Sequence, residues 1–339
     1  MSIDTIDERP LHEGVVTRKN RGQYLVQKNG RGVQCTISNK LRKKLLYPLA
    51  DPASLGHYSV QRVEDIDVVD PVAVGDQVQF IDLDDGSGHI IEVLPRKSQL
   101  SRAAAGSAAR RADADLRMEQ VLVANVDQVV AVFAAARPKP KWHLLDRYLV
   151  IAEAAWVQAI ICITKLDLVK ADKLTPILER YRAIGYPVLL TSTMDTRGID
   201  AARETLTGKL SVLMGKSGVG KTSLLNAIEP GLGLRVRAVS SGKRGKGRHT
   251  TTHLELFPLE GGGGVVDTPG MREFALWNMD SQEIAACFPE MRPYLGTCKF
   301  GASCRHDSEP GCAVKAALDA GHISRPRYES YLKLAEEMA

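Results

Sequence analysis

No stretch of this 339-residue chain is long and apolar enough to span a bilayer; the richest run, 144–163, is interrupted by Asp146, Arg147, Glu153 and Gln158. Residues 1–13 are polar and acidic and lack the apolar core of a signal peptide. Both absences predict a cytoplasmic protein with no membrane partner. Six cysteines are too few for a disulfide scaffold at this length, so their spacing carries more meaning than their number. Aromatic residues make up only 5%, so any nucleic-acid contact must rest on backbone electrostatics more than on base stacking. Acids are missing altogether from residues 15–50, which hold nine Lys or Arg, whereas 51–95 hold ten acids and only Arg62. Two further basic blocks, 96–117 and 235–248, make three, and segregated positive charge of this kind points to a polyanion-binding face.

What is present divides into modules. From residue 13 to 95 the pattern is of five short strands with glycine turns, including a turn at Asn29-Gly30. That fits a small antiparallel barrel such as an OB-fold, a class that binds RNA or single strands. Residues 96–118 are rich in Ala, Ser, Gly and Arg without apolar periodicity and read as a linker. From residue 119 strands and helices alternate, which predicts an α/β domain built on a mainly parallel sheet. Its ligands then belong beyond the carboxyl ends of the strands. The expected layout is a barrel over 1–95, a linker over 96–118, an α/β domain over 119–278 and a cysteine-containing helical domain over 279–339.

The α/β part contains Gly215-Lys216-Ser217-Gly218-Val219-Gly220-Lys221-Thr222, followed by Ser223, between an apolar strand and a helix. Glycines at this spacing let backbone N–H groups surround phosphate oxygens, Lys221 adds a cation, and Thr222 can offer its hydroxyl to magnesium. Forty-five residues beyond Thr222 comes Asp267-Thr268-Pro269-Gly270 at the end of another strand. Asp267 there can hold magnesium through water, and the Gly270 N–H can meet a γ-phosphate. Between them the basic, glycine-rich stretch 241–252 ends in Thr250-Thr251-Thr252, the pattern of a switch loop with a magnesium-binding threonine, for which Thr251 is the choice.

No base-recognition loop follows Gly270. Upstream, however, a strand runs into Thr164-Lys165-Leu166-Asp167, and a later one into Thr191-Ser192-Thr193. An Asp in the position of Asp167 accepts hydrogen bonds from the guanine edge, the stem of Lys165 covers the ring, and Ser192 belongs to a small-residue loop that completes the pocket. The order is therefore base loop, second base loop, phosphate loop, switch and Asp-Thr-Pro-Gly, a circular permutation of the usual arrangement. Near the C-terminus, Cys298, Cys304, His306 and Cys312 form a set of three thiolates and one imidazole, the closed tetrahedral type of structural zinc site. Cys35, Cys162 and Cys287 stand apart and read as core or edge residues.

Taken together, these motifs resemble the circularly permuted, small-ribosomal-subunit-dependent bacterial GTPases, the ribosome biogenesis GTPase A family, over nearly the whole chain. The resemblance implies an N-terminal OB-fold, a permuted P-loop GTPase domain and a C-terminal zinc domain. It implies GTP hydrolysis to GDP with magnesium, one structural zinc, and action on the small ribosomal subunit and its rRNA late in maturation. It also implies that His249 is the catalytic group, acting with Lys221 and Thr251. Two departures matter. Thr164 stands where the family has Asn, which shortens one arm toward guanine. Met271 follows Gly270 where many GTPases place a water-orienting Gln, and a thioether cannot orient water. The chain is expected to work as a monomer. An RNA-binding assembly factor with incidental hydrolysis remains an alternative, and a P-loop kinase or ATPase a third, which would leave Lys165 and Asp167 without a task.

Overall fold

The computed structural model describes residues 9–20, 22–39, 41, 71–103, 119–234, 254–267 and 279–338. They divide into two units, one of residues up to 125 with 252–256, the other of 126–251 with 257–339.

The first unit is built on strands β1 (Leu11–Asn20), β2 (Gln23–Lys28), β3 (Arg31–Ile37), β4 (Gln77–Asp82) and β5 (Ser87–Val93). β1 pairs with β2, β2 with β3, β3 in parallel with β5, β5 with β4, and β4 returns to β1, so the sheet closes into a five-stranded barrel. Closure removes the unpaired edges that five short strands would otherwise expose. Asn29 and Gly30 form the two-residue β2–β3 turn with φ of 46° and 82°, the left-handed geometry that Asn-Gly tolerates and that matches strand twist. Alternate residues point inward, so Val16, Tyr24, Val26, Val33, Cys35, Val78, Phe80 and Ile90 form the core. Gly14 is required by this packing, because a Cβ there would lie 2.6 Å from the Val26 side chain and 2.8 Å from the Gln27 carbonyl oxygen.

Beyond the barrel, β6 (Gln99–Ala103) and β7 (Glu119–Ala124) form an antiparallel pair, so the first residues of the expected linker are strand. The composition of β6 hides this because a five-residue strand shows too little alternation, and its partner lies some twenty residues on. Arg96 ties the approach to β6 back to the barrel. Its Nε donates to Asp76 Oδ1 at 2.7 Å and its Nη2 to Asp76 Oδ2 at 2.9 Å, a two-point grip on a fully buried carboxylate.

In the second unit β8 (Gln128–Ala134), β9 (Gln158–Thr164), β10 (Val188–Leu190), β11 (Lys209–Met214) and β13 (Gly263–Asp267) are parallel, in spatial order β10-β9-β8-β11-β13. The short β12 (Glu255–Pro258) precedes β13. Every residue of β8 is buried, as expected for a central parallel strand covered on both faces. The period of two splits it. Val130, Val132 and Ala134 pack with α3 (Ile199–Leu206) and α4 (Lys221–Ile228) in one core, while Phe133 meets Tyr148 of α1 (Trp142–Ala154), ring centroids 5.7 Å apart. Helix α2 (Thr175–Ile184) ends at Gly185, φ 105°, the left-handed terminator that helices favour. α5 (Ser281–Ala286) begins with a capping box between Asp280 and Glu283. α6 (Ala313–Asp319) and α7 (Arg325–Met338) complete the unit, with α7 lying against α1 and α5. No helix among the described residues is long and apolar enough to cross a membrane.

Candidate functional site

The order of strands fixes where a ligand belongs. The chain runs outward from β8 through β9 to the edge at β10, then returns to β11 beside β8. The helices that follow β8 and β11 consequently lie on opposite faces, and a crevice opens between the carboxyl ends of these two strands. The loop after β8, the loop after β9 and the phosphate loop after β11 meet there.

The phosphate loop runs from Gly215, directly after β11, into α4, whose N-cap is Gly220. Gly218 and Gly220 have φ of 81° and 101°, a region closed to most side chains. Gly215 is fixed by contact instead, since a Cβ would lie 2.5 Å from the Val132 carbonyl oxygen. Ser217 is exposed, Lys216, Thr222 and Ser223 are half-buried, and Val219 packs into the sheet core. By helix geometry the first N–H groups of α4 lack acceptors within the helix and carry its positive dipole end, the standard anion site. The Lys221 amine donates to the Gly215 carbonyl at 2.8 Å and stands 3.9 Å from Asp267 Oδ1 at the end of β13. Burial pushes the pKa of Lys221 down against the opposing pull of Asp267. A polyphosphate beside it would stabilise the charged amine.

The base-loop residues converge on the same place. Lys165 has φ 57° and its amine donates to the Gly218 carbonyl at 2.7 Å and to the Arg137 carbonyl at 2.5 Å. Thr164 is buried, and its hydroxyl donates to the Val219 carbonyl. Asp167 is exposed; its Oδ1 accepts the Ser192 hydroxyl at 2.8 Å, and Ser192 Oγ accepts the Met194 N–H at 3.2 Å. Thr191 anchors this second loop to β9, donating its hydroxyl to the Ile163 carbonyl at 3.2 Å. Thr164, Lys165, Asp167, Ser192, the phosphate loop and Asp267 thus share one edge of the sheet. His249, Thr250, Thr251, Thr252, Gly270 and Met271 lie outside the described residues. Arg137 was not legible as a participant, because it contributes only a main-chain carbonyl, which carries no sequence signal.

The cysteine cluster is also assembled. The donor atoms of Cys298, Cys304, His306 and Cys312 lie within 4.8 Å of one another, all four residues buried. His306 Nδ1 is 3.5 Å from both Cys298 Sγ and Cys312 Sγ, and these sulfurs are 3.9 Å apart. A tetrahedron with Zn–S arms of about 2.3 Å has S···S edges of about 3.8 Å, so the spacing of Cys298, Cys312 and His306 is compatible with zinc. Cys298 Sγ accepts the Ala313 N–H at 3.3 Å; although burial acts to raise its pKa, amide donors outweigh it and the thiol is pushed down. Tyr328 and Tyr331 of α7 donate their hydroxyls to the carbonyls of His306 and Arg305, at 2.6 and 2.7 Å, and so fasten the loop. Cys35, Cys162 and Cys287 are buried and their thiols are pushed up to about 12, chiefly by burial, which makes them core residues and not nucleophiles.

A buried ion cluster was not anticipated. Arg327 of α7 donates from Nη1 to Asp146 of α1 at 2.8 Å and from Nε to Glu290 at 2.6 Å, all three side chains being at most 8% exposed. Its trace in the sequence is Asp146 itself, a charged residue beside Leu145 and Leu149 on an otherwise apolar helix face.

A parallel sheet with a phosphate loop at its switch point, and side chains of the loop after β9 bonded to that loop, has the architecture of a P-loop GTPase. The RsgA GTPase family model matches residues 93–277. A small ribosomal subunit biogenesis GTPase of Gemmatimonas aurantiaca is 48% identical over 74% of this chain and 78% of its own. The crystal structure of YjeQ from Thermotoga maritima superposes with a TM-score of 0.72 at 31% identity, covering 97% of this chain and 99% of the other. The structure of YloQ, described as a circularly permuted GTPase, superposes with a TM-score of 0.67 at 31% identity, covering 97% and 95%. The chain belongs to the RsgA GTPase family. It is a circularly permuted GTP-hydrolysing enzyme with an OB-like barrel at its N-terminus, using GTP, GDP and magnesium, and its three-cysteine, one-histidine cluster is compatible with zinc.

Proposed function

We propose that this enzyme hydrolyses GTP in response to the small ribosomal subunit, binding its rRNA late in maturation. The observation that supports the reading is the bond from the Lys165 amine to the Gly218 carbonyl, which joins the loop assigned to guanine to the phosphate loop. Relatives such as that of Gemmatimonas aurantiaca are small ribosomal subunit biogenesis GTPases, which suggests the partner. Asp167, held by Ser192, accepts the N–H groups of the guanine edge. The stem of Lys165 lies along the ring, and the exposed side chains of Leu168 and Met194 beside these loops offer further apolar surface. Gly215 to Ser223 hold the phosphates, with Lys221 neutralising charge that grows on the β–γ bridge as the bond breaks. Magnesium, held by Thr222 and Thr251 with Asp267 behind it, would supply additional charge neutralisation at the phosphates. His249 orients the attacking water when the subunit is bound, and Gly270 offers its N–H to the γ-phosphate.

Cys298, Cys304, His306 and Cys312 would hold one zinc, a closed four-ligand crosslink for a segment with little core of its own. The barrel and the zinc segment supply RNA contacts. A basic zone at the start of α1 favours a polyanion there too: the pKa of His143 is lowered by burial and then by Lys333, Lys141 and Lys216. Six cysteines with no disulfide among them suit a reducing cytoplasm, where the protein works as a monomer. The test is GTP turnover with and without purified small subunits, with ATP as competitor. Strong stimulation, no competition by ATP and loss of stimulation in His249→Ala are expected. Subunit-stimulated turnover that survives His249→Ala would remove the catalytic role of that residue. Absent stimulation, with binding still dependent on nucleotide, would make the protein an RNA-binding assembly factor instead.

A further inference from the structure

Thr164 ends β9 at the position where the resemblance leads one to expect an asparagine that reaches toward the base. In this chain the side chain is 4% exposed and turned into the protein. Its hydroxyl donates to the Val219 carbonyl, and the Phe133 carbonyl is 3.3 Å away. A hydroxyl has one proton, and both neighbours are acceptors. The following residue repeats the pattern, with the Lys165 amine on the Gly218 carbonyl at 2.7 Å. Two consecutive base-loop residues therefore hold two consecutive carbonyls of a phosphate loop more than fifty residues away in sequence. The Arg137 carbonyl joins the same amine, so the loops after β8, β9 and β11 meet at one knot.

Guanine presents N7 as an acceptor and can be read there only by a donor. The proton of Thr164 is committed to Val219, and its hydroxyl is one bond from Cβ, too short to serve both. We infer that Thr164 is a positioning residue that latches the base loop to the phosphate loop, and that its side chain does not read guanine N7. The substitution of Asn by Thr then leaves the latch in place and gives up one base contact, while Asp167 keeps the discrimination against adenine.

This rests on the nucleotide site proposed above. The experiment is calorimetric titration of the full chain with GDP, with 7-deaza-GDP, in which N7 is replaced by CH, and with ADP. The wild-type arm needs no variant: GDP and 7-deaza-GDP are expected to bind within about twofold of each other, and a preference for GDP of tenfold or more would overturn the inference. Thr164→Val removes the donor at nearly constant shape. It is expected to weaken both guanine nucleotides by the same factor, about tenfold, the order expected when a buried carbonyl loses its partner. Thr164→Ser, which keeps the hydroxyl, is expected to bind within about twofold of wild type. Undiminished affinity in Thr164→Val would overturn the latch. The base-loop assignment fails separately, as wild type that does not prefer GDP to ADP, and would take this inference with it.

Discussion

The Arg327 cluster is the place where one substitution should unsettle the second unit most. The guanidinium lies between Asp146, at 2.8 Å, and Glu290, at 2.6 and 3.2 Å, and over the Phe288 ring with its central carbon 4.4 Å from the centroid. Tyr181 donates to Asp146 Oδ1 at 2.8 Å and Ser330 donates to Oδ2, so Asp146 is fully engaged. Burial acts to lower the pKa of Arg327, but the two carboxylates outweigh it and hold the guanidinium charged. Arg327→Met keeps apolar bulk and removes the charge, leaving two carboxylates in a nearly dry site. Breaking a buried pair in this way costs about 3–5 kcal/mol, and losing the contact with the Phe288 face adds about 1 kcal/mol. Against total stabilities of about 5–15 kcal/mol this is a large fraction, and at about 2–4 °C per kcal/mol it lowers the melting temperature by about 10–20 °C. The compensated variant Arg327→Met with Asp146→Asn and Glu290→Gln removes all three charges and is expected to recover most of the loss. Thermal and urea melts of wild type, single and triple variants give the answer. A single variant within about 1 kcal/mol of wild type, or a triple variant as unstable as the single one, would refute the reasoning.

Two further outcomes are expected. Metal analysis of the purified protein should find one zinc per chain, and Cys304→Ser should abolish it and loosen residues 279–338 to proteolysis; stoichiometric zinc in that variant would show that the four donors do not act together. At alkaline pH the thiols of Cys35, Cys162 and Cys287, raised from 9.0 to about 12, stay protonated in the fold while those of the unfolded chain ionise. Their contribution is therefore full below pH 9 and is lost as pH rises through 9 toward 12, at up to about 1.4 kcal/mol per pH unit for each thiol. Urea midpoints between pH 8.5 and 10.5 should fall less steeply when all three are replaced by Ala, and an unchanged slope would contradict the assignment.

How far the sequence reached depends on whether a feature is local. Asn29-Gly30 specifies its turn because two left-handed residues in succession admit few sequences. Helix α3 is local in the same sense, since Ile199, Ala202 and Leu206 lie on one face and all bury. The cysteine cluster was legible for the same reason, with its four donors inside fifteen residues. The Arg327–Asp146 pair spans 181 residues, and no local pattern announces it. Thr164 occupies an intermediate case. Spacing identifies its position in the base loop, but its partner is a main-chain carbonyl, and a carbonyl is the same at every residue.

That distinction bears on why the permuted chain still forms one site. The usual order would carry the phosphate loop first and the guanine loop last; here β8, β9 and β10 are laid down before β11 enters between β8 and β13. The parallel ladder is indifferent to that order, because strand pairing fixes neighbours in space and not in sequence. Register is what must be right, and it is set by side chains at the strand starts: buried Gln128 of β8 donates to Ser211 Oγ of β11 at 2.8 Å, and Asp127 Oδ2 accepts the Leu210 N–H at 2.7 Å. With the starts aligned, the carboxyl ends arrive level, and the Arg137, Lys165 and Gly218 loops can meet. The knot of carbonyls around Lys165 is then a consequence of strand register, and a polar side chain at the amino end of β8 becomes part of the reason that the loops after β8, β9 and β11 are held together at the other.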